Sequence, residues 1–267
     1  MDLWFFLSVL SFVLVLMGLF PAKSLALKPV FDLAKALKKA NSGDAMAQFL
    51  MGGIYDKGDV VPQDYTEAVK WYLKAANQGH VKAQFNLAVM LEGGFGVAED
   101  KVEAFKWYQA AAEQGLAEAQ FNLGALYDNG DGVPMDKAKA VKWYTKAANK
   151  GLPPAMNNLA YCYEEGEGVE MNQAMAIKWF RAAAEKGYVT AQHKLGMIYF
   201  KGDGVPVNKT EAAKWIRKAA EAGLIQAQAL LSSLYLIGDG VAEDPDEAFK
   251  WFRMAENQVN MTGKSQK

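Results

Sequence analysis

Cysteine and histidine are almost missing from this chain of 267 residues: Cys162 is the one cysteine, and His80 and His193 are the two histidines. A lone cysteine excludes an intrachain disulfide, and its place inside an apolar periodic segment gives it the role of a small buried side chain. Neither histidine stands at a metal-ligand spacing from a second His or Cys, so no metal and no cofactor is expected. His80 directly follows Gly79 and reads as a turn residue, while His193 lies on a different helix face from Leu195. No Gly-x-Ser-x-Gly elbow and no Ser-x-x-Lys pair occurs, and the adjacent Glu164 and Glu165 read as a solvated helix end. An excess of one charge is missing as well. With 29 basic and 30 acidic residues the net charge is −1, which leaves no basic field for nucleic acid or for strong attachment to an anionic membrane.

What the chain has instead is a ladder of tryptophans. Trp71, Trp107, Trp143, Trp179, Trp215 and Trp251 each lie 36 residues after the last. A fixed period of this size marks stacked units, each unable to bury its apolar face alone. Lys70, Lys106, Lys142, Lys178, Lys214 and Lys250 precede the rings. Ala68, Ala104, Ala140, Ala176, Ala212 and Ala248 stand three residues before them. Apolar and small positions at i, i+3 and i+4 predict an amphipathic helix, called helix B, with the tryptophans as structural repeat core. Gly79, Gly115, Gly151, Gly187 and Gly223 suit the left-handed position that ends it.

A second periodic segment follows in each unit. Ala83, Leu87 and Leu91, then Ala119, Leu123 and Tyr127, then Ala191, Leu195 and Tyr199, line one face of a helix A. Helix A ends in a glycine turn, as at Gly130-Asp131-Gly132-Val133, with a weaker first copy at Gly58-Asp59-Val60-Val61. These turns follow helices rather than strands and recur, so they are not nucleotide loops. Asp64, Asp100, Asp136, Asn172, Asn208 and Asp244 are placed to cap the next helix B. Asp64/Glu67, Asp100/Glu103, Asn208/Glu211 and Asp244/Glu247 have the spacing of capping boxes.

The strings Ala-Gln-Phe-Asn-Leu-Gly at 119–124, Gly-Asp-Gly-Val-Pro at 130–134 and Ala-Val-Lys-Trp-Tyr at 140–144 resemble the Sel1-like repeat, a relative of the tetratricopeptide repeat with longer turns. The resemblance covers roughly residues 42–257 in six copies. It implies an all-α fold, a right-handed α/α superhelical solenoid, used for protein–protein interaction with helices A lining the concave face. The units are set at 44–79, 80–115, 116–151, 152–187, 188–223 and 224–257. Residues 27–43 read as an N-terminal capping helix with Lys35 in the Trp position, and residues 258–267 as a polar tail expected to fray.

Leu3 to Phe20 is an apolar run, long for a signal-peptide core and slightly short for a span of about 20 residues. Ser24-Leu25-Ala26 offers small residues for cleavage after Ala26, so residues 1–26 read as a signal peptide or N-terminal membrane anchor. The family's frequent export signals favour an exported, periplasmic or secreted chain. Membrane contact would come only through residues 3–20 if uncleaved. The alternative is an inner-membrane anchor carrying a cytosolic adaptor, suggested by Lys23, Lys28, Lys35, Lys38 and Lys39 after the run.

Function is then sought on helix A, at positions the packing does not claim. Asn86, Asn122, Asn158 and Lys194 occupy one equivalent site, where Asn offers donor and acceptor to a peptide and Lys can meet a carboxylate. Phe85, Phe121, Asn157 and His193 adjoin it, and Val89, Ala125, Tyr161 and Met197 lie one turn further. The asparagines have a competing structural reading, as partners of an adjacent backbone group. The expectation is a non-enzymatic scaffold for a protein or peptide partner. A cell-envelope hydrolase of the β-lactamase-like type linked to some relatives stands as the alternative.

Overall fold

The computed structural model describes residues 33–264, and every regular element among them is a helix. The apolar run Leu3–Phe20 and the cleavage position after Ala26 lie outside the described residues. Helix α1 spans Leu33–Asn41. Six helix pairs follow: α2 (Ala45–Lys57) with α3 (Tyr65–Asn77), α4 (Val81–Gly93) with α5 (Lys101–Glu113), α6 (Ala117–Asn129) with α7 (Lys137–Asn149), α8 (Pro153–Glu165) with α9 (Gln173–Glu185), α10 (Val189–Lys201) with α11 (Lys209–Glu221), and α12 (Ile225–Ile237) with α13 (Pro245–Lys264). The even-numbered members are helices A and the odd-numbered ones from α3 onward helices B. Each helix packs on the next in chain order, so the chain is an α/α solenoid with its core strung along the stack.

The stops and starts follow from glycine and from caps. Helix B ends in a left-handed glycine, as at Gly79 (φ +81°). There the Gly79 N–H donates to Ala76 O and the His80 N–H to Ala75 O, the paired bonds that satisfy a helix's last carbonyls. Helix B begins at a side-chain cap: Asp64, Asp100, Asp136, Asn172, Asn208 and Asp244 each accept the backbone N–H three residues on, at 2.9–3.0 Å. The reciprocal half of the expected capping boxes does not form. The cap's own N–H is already taken by a carbonyl of helix A, Tyr55 O for Asp64 and Tyr199 O for Asn208, both at 2.9 Å. The freed glutamates turn to the lysine three residues on, Glu67 to Lys70 and Glu211 to Lys214.

The deepest core column is the residue after each tryptophan. Tyr72, Tyr108, Tyr144, Phe180 and Ile216 are at most 1 % exposed. Trp71, Trp215 and Trp251 are buried, whereas Trp107, Trp143 and Trp179 keep part of their rings at the surface. Lys74, Lys146 and Lys218 lie 3.7–4.0 Å over the rings of Trp71, Trp143 and Trp215. A second ladder is polar and buried. Gln48, Gln84, Gln120, Gln192 and Gln228 donate to the carbonyls of Ala40, Ala76, Ala112, Ala184 and Ala220, tying each helix A to the helix B before it at 3.0–3.2 Å. Met156 interrupts that ladder in the fourth unit.

Helix α1 contributes Leu33, Ala36, Leu37 and Ala40 to the cluster around Trp71. The tail from residue 258 departs from expectation: α13 continues to Lys264. Val259 stands where earlier units place the helix-ending glycine, so nothing turns the chain there.

Candidate functional site

The helix-A face carries one residue triad per joint between units. Asp56, Glu92 and Asp128 lie near the ends of α2, α4 and α6. The buried hydroxyls of Tyr72, Tyr108 and Tyr144 donate to them at 3.2, 2.7 and 3.2 Å. Asn86, Asn122 and Asn158, each on the following unit's helix A, meet the same three hydroxyls. Burial first, with the neighbouring acids adding to it, pushes all three phenols far above their ordinary titration range, so they remain donors at any physiological pH.

The fourth joint changes the chemistry without changing the geometry. Phe180 replaces the tyrosine and Lys194 replaces the asparagine, and the Lys194 ammonium reaches Glu164 directly at 2.8 Å. It also lies over the rings of Tyr161 and Phe180. The fifth joint is apolar throughout, with Phe200, Ile216 and Leu230 at the three positions. These three positions thus grade from polar to apolar along the stack.

The structure places the predicted residues on the helices A α4, α6, α8 and α10. Phe85, Asn86, Val89, Phe121, Asn122, Asn158, Tyr161, His193, Lys194 and Met197 are all half-buried on this face. Phe85 and Phe121 pack on Tyr108 and Tyr144, ring centroids 5.7 and 5.8 Å apart. Asn157 is buried. The imidazole of His193 is held below its ordinary pKa by burial and then by Lys194. His80 proves to be more than a turn residue: its Nδ1 accepts the Ala83 N–H at 3.2 Å and caps α4, and its ring stacks on Phe49 at 4.5 Å. The tyrosine, acid and glutamine columns have the same 36-residue spacing but hold in three, four and five units against six for the tryptophans, a weaker signal that the sequence pattern left unread.

Ion pairs neutralise only part of the acid column. Asp128 pairs with Lys137 at 2.7 Å, and Lys137 also reaches Glu167 at 2.9 Å. Asp56 and Glu92 have no ion pair among the described residues. No group of three or more His, Cys, Asp or Glu among the described residues could hold a metal ion. No described helix is long and apolar enough to cross a membrane.

This repeated joint defines an α-solenoid of the Sel1 type. The Sel1 repeat model matches residues 45–80, 81–116, 117–152, 153–188, 189–224 and 225–260, and the chain belongs to the Sel1 repeat family. It is similar to a protective antigen of uropathogenic Escherichia coli displaying an SLR fold (37% identity, TM-score 0.83, covering 85% of this chain and 49% of that one). It is also similar to a Sel1 repeat protein from Oxalobacter formigenes (36% identity, TM-score 0.72, covering 84% and 93%). The chain therefore spans about half the length of the E. coli antigen. An immunity protein from Pseudomonas aeruginosa shares the fold at 22% identity and TM-score 0.51, covering 81% and 82%. Among curated protein sequences none matches the chain. Sel1-repeat proteins are in general scaffolds for protein–protein interaction.

Proposed function

We propose that this chain is a non-enzymatic scaffold that holds a partner protein or an extended peptide along its helix-A face. One observation carries the reading. The packing columns repeat nearly the same residue from unit to unit, Ala83 and Ala119 or Leu87 and Leu123, whereas the helix-A surface columns change residue type along the stack. One column there runs Leu50, Asn86, Asn122, Asn158, Lys194, Leu230 and its neighbour Phe49, Phe85, Phe121, Asn157, His193, Ala229. The exchange of Asn158 for Lys194 goes with Phe180 at its joint, but a surface so graded also suits a linear partner read unit by unit.

Photo-crosslinking in cells tests this. A benzoylphenylalanine at position 122 or 161, on the helix-A face, should yield a discrete adduct. The same group at Lys146 on the helix-B face should not. Adducts absent from 122 and 161, or equal at all three positions, would sink the reading. Exported location rests on the apolar run Leu3–Phe20 and the small residues Ser24 and Ala26. Intact mass and fractionation of the native protein check it, and an uncleaved chain in the cytosolic fraction contradicts it.

A further inference from the structure

The joint between the first two units breaks the pattern that the others keep. Elsewhere the first residue of helix B latches onto the turn of the following unit. Lys101 reaches Asp131 at 2.9 Å, Lys137 reaches Glu167 at 2.9 Å, Lys209 reaches Asp239 at 3.1 Å, and the Gln173 amide donates to Asp203 O at 3.4 Å. At the first joint the two positions are Tyr65 and Phe95, whose ring centroids lie 5.7 Å apart. Phe95 is 47 % exposed and Tyr65 37 %. Two further departures adjoin them. Leu50 (44 % exposed) stands in the column of Asn86, Asn122 and Asn158, and Val60 (51 % exposed) stands where later turns place their second glycine. All four replacements put large apolar groups into solvent, which stacking does not require.

These four residues wall two adjoining pockets of about 360 and 240 Å³ on the helix-A face. Leu50 and Val60 line the first with Phe49 and Ile54. Tyr65 and Phe95 line the second with Phe85 and Val89. Asp56 and Asn86 line both, so a carboxylate and an amide stand where the pockets meet. The larger pocket holds two acids, Asp56 and Asp59, against one exposed base, Lys57. Neither acid has an ion pair among the described residues, unlike Asp128 and Glu164 in the same column as Asp56.

We infer that this groove receives an extended polypeptide segment carrying a lysine or arginine side chain between apolar residues, with the cationic end against Asp56. The inference rests on the scaffold reading and adds the partner's chemistry. A long basic side chain suits the groove twice: its methylenes lie along apolar walls while its charge meets the carboxylate, and the aromatic faces attract the same charge. An acidic segment would meet uncompensated carboxylates of its own sign.

Random dodecapeptides displayed on phage and selected on the immobilised full-length chain test it. Enriched peptides should carry Lys or Arg flanked by apolar residues. Exchanging that base for Gln in the synthetic peptide should weaken binding about tenfold by fluorescence anisotropy, and Asp56→Asn should do the same. The double variant Tyr65→Lys/Phe95→Asp writes the latch of the other joints into this one. It should keep the melting temperature and lose about tenfold in affinity. Acidic or base-free peptides, no enrichment, or affinity indifferent to both variants overturns the inference. A dimer dissolved by the double variant, with no peptide enriched, overturns it too. Peptides that bind but respond only to Asn158→Ala or Lys194→Ala leave the helix-A scaffold standing and remove this groove from it. Peptides indifferent to every helix-A variant remove both.

Discussion

Tyr108 shows how much one repeated position decides. Its hydroxyl is buried, donates to Glu92 at 2.7 Å and is met by Asn122, so removing it leaves two polar groups facing a phenyl edge. Tyr108→Phe should cost about 1 kcal/mol in urea unfolding. The chain contains its own repair at the next joint but one, where Phe180 goes with Lys194 paired to Glu164. Adding Asn122→Lys to Tyr108→Phe should therefore recover part of the loss, and a double-mutant cycle with no favourable coupling would refute the equivalence of the two arrangements. His80 gives a pH prediction of definite sign. Burial, with Lys82 adding to it, holds its folded pKa below 6.5, and its Nδ1 must stay unprotonated to accept the Ala83 N–H. The unfolded chain thus binds the proton first, and stability is lost as pH falls from about 7 through the unfolded value toward the folded one. His80→Asn keeps a cap acceptor and removes this share of the slope between pH 7.5 and 5.5; what remains belongs to His193, whose pKa is lowered in the same way. Asp44 and Asp136, held below their ordinary pKa mainly by backbone N–H bonds, act in a separate window below about pH 4.

Helices were legible in the sequence because spacing of three, four and 36 is a one-dimensional signal, and so were their ends. Left-handed glycines and Asp/Asn caps act locally, and they stand where the pattern puts them. What the pattern could not carry was any choice made by a neighbouring helix. The capping boxes fail because Tyr55 O and Tyr199 O reach the cap N–H from another helix. The tryptophans drew notice by size, yet Tyr72, Tyr108 and Tyr144 fill the joint because the following helix A covers them. The second turn glycine belongs to the same class. Gly132 has φ +68°, which favours glycine by itself, but a Cβ there would also collide with the Lys101 carbonyl of the preceding unit. Gly187 (φ +84°) has nothing within 4 Å of its Cβ position. Gly187→Ala should accordingly cost about 1–2 kcal/mol, the left-handed penalty alone. Gly132→Ala should cost clearly more, because α5 must shift to admit the methyl. Equal losses in melting temperature for the two variants would show that the close approach to Lys101 is energetically empty.

At the scale of the molecule the stack has no central core, and its energetics should be nearest-neighbour. The last unit illustrates this from the open side. Phe252 lies in the column of Tyr72 and Phe180 but is 53 % exposed, because no described unit covers it. Phe252→Ser should change stability by less than about 0.5 kcal/mol, whereas Phe180→Ala, in the same column, should cost about 3–5 kcal/mol. Cys162 makes the locality of that loss measurable without a label. The thiol is buried in the cluster that contains Phe180, Leu159 and Ile198, and burial pushes its pKa up to about 11. In the folded chain at pH 8 it is protonated and covered, so an aromatic disulfide reagent reaches it through local opening of the fourth unit. Phe180→Ala removes several kcal/mol from the cost of that opening and should speed the reaction about a hundredfold or more. Trp251→Ala deletes a larger buried ring in the sixth unit, outside that cluster. It should leave the Cys162 rate within about twofold of the wild type, although it lowers the stability of its own end of the stack. If both substitutions speed Cys162 alike, the six units unfold as one body and the nearest-neighbour account of the solenoid is wrong.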